Sequence, residues 1–200
     1  MALRVMALYA GGIRRMSFLD NLMPEEQDML VSLPYRVGLW VSQSDSRGGE
    51  GSDEEERQAL FNILNGFAEE VFGCETMQHI ISATMTRRDE WSRWSINLES
   101  VVPDCRRAVD ILSEAVDPKE VNGFKHHLMD IGEAVALAFR EETESDFFQK
   151  IKTYALFFKG KLDASLEKRP YKSMEQFLNI SLHERQALSR LAEALGTGYT

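Results

Sequence analysis

Two hundred residues, 44% of them apolar and including eleven Phe and three Trp, are enough for one packed domain or two small ones sharing a core. The 23 basic and 32 acidic side chains leave a net charge of −9, which argues against nucleic acid as a partner because phosphate neutralisation needs a basic face. Cys74 and Cys105 have no CxxC spacing and do not support a disulfide framework, and no apolar run approaches the roughly 18 residues of a membrane span. A cytoplasmic protein with an acidic surface is expected, suited to cations or to basic partner surfaces.

Residues 1–15 hold a short apolar stretch, Val5 to Ala10, and then Gly11-Gly12, with no capped helical pattern. They read as a flexible extension, and residues 16–200 as a single helical domain. Beyond Met16 the apolar residues recur at helical spacing, and no segment alternates cleanly at period two. The spacing predicts helices at 25–43, 53–72, 75–88, 103–116, 118–140, 146–167 and 181–195, with short helical turns around 90–100 and 173–179. Pro34 falls inside the first of these and is expected to kink or break it. Pro24, Pro103 and Pro118 suit first helical turns, Asp117 an N-cap, and Gly73 and Gly196 helix stops. The stripe Val121, Phe124, Leu128, Ile131, Val135 needs helical neighbours on more than one side. The fold class that follows is all-α, a compact bundle of about seven helices.

The pentad Glu-Arg-Gln-Ala-Leu occurs twice, at Glu56–Leu60 and Glu184–Leu188. Each copy follows a capping signature, Asp53-x-x-Glu56 and Ser181-x-x-Glu184. The repetition suggests two related halves, about 24–116 and 118–196. Shared helical composition is the competing explanation, since all five residue types favour helices or tolerate them well.

Between the first two helices runs Asp45-Ser-Arg-Gly-Gly-Glu-Gly-Ser-Asp-Glu-Glu-Glu56, six carboxylates within twelve residues, with three glycines that let the backbone fold back. Asp45 and Glu56 stand at the first and twelfth places of an EF-hand loop, but Arg47, Gly49 and Glu50 fill the third, fifth and sixth, which excludes that motif. A hard divalent cation, Ca²⁺ or Mg²⁺, would still relieve the repulsion, and Asp45, Glu50, Asp53 and Glu56 are the expected ligands. The competing reading is a solvated connector whose acids favour the helix N-terminus that follows.

Leu39-Trp-Val-Ser-Gln, the acid-glycine stretch Asp45 to Gly51, and Ser52-Asp-Glu-Glu-Glu-Arg-Gln-Ala-Leu60 together resemble the entrance signal of the tellurite-resistance TerB-like family. Ile180-Ser-Leu-His-Glu-Arg-Gln-Ala-Leu188 is similar to the corresponding entrance of a second half. The resemblance covers about a quarter of the chain. It implies an all-helical protein of two related halves that binds a divalent cation and serves stress-response assemblies without catalysis. This chain departs from the family at Gly49, where an aspartate would align, and its second entrance lacks an acidic loop.

Other chemistry is thinner. His126-His127 with Asp130 and Glu133 could set imidazole and carboxylate on one helical face, although His127 borders the apolar stripe and reads first as a packed side chain. Glu75 and His79 are four apart, and no Glu-x-x-His pair of the di-iron type occurs. Neither a Gly-x-Ser-x-Gly elbow nor a phosphate-binding glycine loop is present, so no enzymatic activity is expected. Arg87 to Trp94 interleaves bases with tryptophans that are expected to pack over a helix junction. Seven Lys/Arg between Lys150 and Lys172 oppose the acidic loop along the chain. That asymmetry supports an alternative function, a metal-free protein interaction module or self-association through acidic and basic faces.

Overall fold

A computed structural model describes residues 17–44, 53–70, 73–138 and 181–198. The expectations for 1–15, 146–167 and 173–179 lie outside the described residues. Among those described, every regular element is helical: α1 (Pro24–Ser42), α2 (Asp53–Glu70), α3 (Glu75–Thr86), α4 (Trp91–Trp94), α5 (Val101–Ala115), α6 (Pro118–Ala138) and α7 (Leu182–Leu195). The all-α bundle expected from the spacing is therefore observed. Short 3₁₀ turns at Phe18–Asn21, Arg88–Glu90 and Leu98–Ser100 join them; the first has no counterpart in the sequence reading. None of the described helices is long and apolar enough to cross a membrane.

The first turns follow the expected chemistry. Asp117 Oδ1 accepts the amides of Lys119 and Glu120 at 2.9 and 3.2 Å, and Pro118 opens α6. Ser181 and Glu184 form a reciprocal capping box at α7: Glu184 N donates to Ser181 Oγ at 3.2 Å, and Ser181 N to Glu184 Oε2 at 2.9 Å. Gly196 ends α7 in the left-handed region at φ 63°, where a side chain would be strained.

Pro34 was expected to kink or break the first helix, and it does not break it: α1 continues from Pro24 to Ser42. An interior proline costs roughly 3 kcal/mol or more in lost bonding and steric conflict. Here every residue from Leu30 to Leu39 is buried, so packing on several sides outweighs that cost. In α5 the helix starts two residues earlier than expected, at Val101, which leaves Pro103 in the first turn where its missing amide has no intrahelical partner to lose.

α1 and α6 form the centre of the described bundle; α2, α3, α5 and α7 each pack against both. Two glycines set how closely they are approached. A Cβ at Gly38 would overlap Leu60 Cδ1 of α2 and stand 3.3 Å from Val135 Cγ2 of α6. At Gly132 it would stand 3.1 Å from both Leu188 Cδ2 and Leu191 Cδ2 of α7, and 3.6 Å from Val41 Cγ2 of α1. The core also holds Tyr35, Trp91 and Trp94: Tyr35 stacks on Trp91 with centroids 4.4 Å apart, and Trp91 Nε1 donates to Thr84 O at 3.1 Å. The tryptophans thus pack at a helix junction, as expected.

A paired charge on α1 lies inside this apolar frame. Arg36, 6% exposed, pairs with Asp104 at 2.8 Å and donates through Nη2 to Ser100 Oγ at 2.6 Å and Asn97 O at 2.9 Å. The pair ties α1 to α5 and to the turn before it, and its extra hydrogen bonds offset the cost of taking the guanidinium out of water.

Candidate functional site

The acidic entrance lies where α1 hands over to α2. At the end of α1, Ser42 Oγ donates to Leu39 O at 2.9 Å and Ser44 Oγ to Val41 O at 2.7 Å, so two serine hydroxyls satisfy carbonyls of the last turn. Asp53 is the first residue of α2, which places Asp53 and Glu56 in its first turn. Asp45 and Glu50 lie outside the described residues, as do the side chains of Asp53 and Glu56. The frame on either side is well defined, since Leu60 against Gly38 fixes the approach of α2 to α1. Burial pushes the Tyr35 phenol up, with the Arg57 charge opposing it.

The histidine group separates on folding. His126 is exposed, with Nδ1 at 2.7 Å from the Asn122 carbonyl one turn back. His127 turns inward, and its Nδ1 stands 3.8 Å from Asp130 Oδ2, both side chains 14% exposed. Burial lowers the His127 pKa and His126 adds to the effect, against the opposing charges of Asp130 and Glu120. Glu133 is buried. His127, Asp130 and Glu133 do not form a metal-binding group, and among the described residues no three His, Cys, Asp or Glu side chains do. Glu75 and His79 meet only at 3.9 Å, as an i,i+4 pair.

Both thiols are packed. Cys74 Sγ accepts the Met77 amide at 3.4 Å and faces Glu120 Oε2 at 3.4 Å. Burial pushes its pKa up to about 12, the Met77 amide opposing and Glu120 adding to the rise. Cys105 is likewise pushed up to about 12, by burial first, with Arg36 opposing. A thiol held protonated at neutral pH is a poor nucleophile and a poor metal ligand.

At the outer edge, Arg88 lies over the Phe61 ring of α2 at 4.2 Å and 5.9 Å from the Trp91 ring. Beside it, Asp28 of α1 pairs with Arg87 at 3.3 Å and Arg93 at 2.8 Å, and Arg93 also pairs with Glu90. Burial alone would raise the Asp28 carboxyl, but Arg93, Trp94 and Arg87 outweigh it and leave it lowered. Arg87 and Arg93 thus pair with neighbouring acids and bind the turn to α1.

Sequence reasoning passed over Arg36 and Glu120. The signal for Arg36 was a single charge within the apolar run Met29 to Val41, which demands a buried partner. Glu120 is an acid in the first turn of α6, and the amide that it meets belongs to another helix. Compared with protein-family models, with curated proteins and with solved structures, the chain matches none.

Proposed function

We propose that this chain is a non-catalytic helical binding protein of TerB-like character that holds a divalent cation, Ca²⁺ or Mg²⁺, at the acidic entrance to α2 through Asp45, Glu50, Asp53 and Glu56. The observation that carries the reading is the matched setting of the two pentads. Leu60 and Leu188, the last residues of the two copies, each lie on a glycine of a central helix, Gly38 and Gly132. Each of those glycines is the fifteenth residue of a helix that opens on proline, Pro24 and Pro118. The neighbours are reciprocal as well: Val135 is beside Gly38 and Val41 is beside Gly132, three residues beyond the glycine in each helix. Compositional accident explains two similar helices but not matching partners at matching positions, so the arrangement supports two related halves. The buried thiols and the dispersed histidine group support binding over catalysis.

Titration calorimetry with Ca²⁺ and Mg²⁺ tests the proposal, alongside an Asp53→Asn/Glu56→Gln variant. Saturable binding at about 10⁻⁴ M or weaker is expected in the wild type, given the missing acid at Gly49, and its loss in the variant. Melting temperature should rise with the cation in the wild type alone. Equal weak heats in both proteins would mean diffuse counter-ion attraction. The second reading, a metal-free protein interaction module using acidic and basic faces, would then lead.

A further inference from the structure

We draw no further inference here: the strongest candidate, the surface patch at the α2–α4 edge where Arg88 lies over Phe61 and beside Trp91, is a cation–aromatic group satisfied within the fold, and nothing in the structure shows what covers it.

Discussion

The Glu120 carboxylate of α6 accepts the backbone amide of Thr76 at 2.7 Å and so caps a helix to which it does not belong. The same oxygen stands 3.4 Å from Cys74 Sγ, and Cys74 itself accepts the Met77 amide, so two groups share the orphan donors at the start of α3. The α3 dipole adds to the attraction for the negative charge.

Replacing Glu120 with Ala should therefore destabilise the fold by about 1–2 kcal/mol, the range for a lost helix cap. Glu120→Gln keeps an acceptor and loses only the charge, so it should cost less. Urea unfolding of the three proteins measures both. A Glu120→Ala midpoint equal to wild type would mean that water replaces the carboxylate without cost.

The glycine contacts make a sharper prediction. Gly38→Ala would bring its Cβ into overlap with the Leu60 Cδ1 tip, whereas Gly132→Ala meets leucine tips at 3.1 Å, so the side chain facing Gly38 must move further. Gly38→Ala should therefore cost more, despite the gain of roughly 0.5–1 kcal/mol that Ala normally brings inside a helix. Leu60→Ala and Leu188→Ala should each cost about 2–5 kcal/mol, since both leucines are buried. In the double variant Gly38→Ala/Leu60→Ala the added methyl occupies space the leucine vacated, so the combined loss should be smaller than the sum. Strict additivity in denaturant unfolding would show that the two residues do not share that space.

The helices were legible because periodicity and caps are local: Asp117, Pro118, the Ser181–Glu184 box and Gly196 all act where the sequence places them. That Pro34 does not break α1 was not legible, because its cost is local while the burial of Leu30 to Leu39 that offsets it is tertiary. Arg36 and Glu120 were missed for a related reason, as their partners Asp104 and Thr76 stand more than forty residues away. Of the candidate site, Asp53 and Glu56 were correctly placed at the start of α2. The expected imidazole–carboxylate grouping of His126-His127 with Asp130 and Glu133 divided because one residue of rotation on a helix turns a side chain by about 100°, enough to send His126 outward and His127 inward.

Neither thiol should react in the native protein. Both cysteines are buried and pushed up to about 12, so at pH 8 almost no thiolate is present and little of it is accessible. Ellman's reagent should give no fast phase in buffer and two equivalents in denaturant. One equivalent within seconds under native conditions would mean that the α3 start opens readily and exposes Cys74.

His127 should make the protein less stable in mild acid. In the unfolded chain its imidazole takes up a proton near pH 6.5, while burial holds the folded value lower. Between those two values the unfolded state binds more protons, so stability falls as the pH drops below about 6.5 and the loss is complete below the folded value. Lowering the pH from 7 to 5 should therefore reduce the urea midpoint more in the wild type than in His127→Gln, which cannot titrate. His126→Gln serves as the control, because that ring is exposed and the wild-type slope should persist. Parallel pH profiles for wild type and His127→Gln would show that protonation of His127 does not oppose folding, and that Asp130, 3.8 Å away, compensates the buried charge in full.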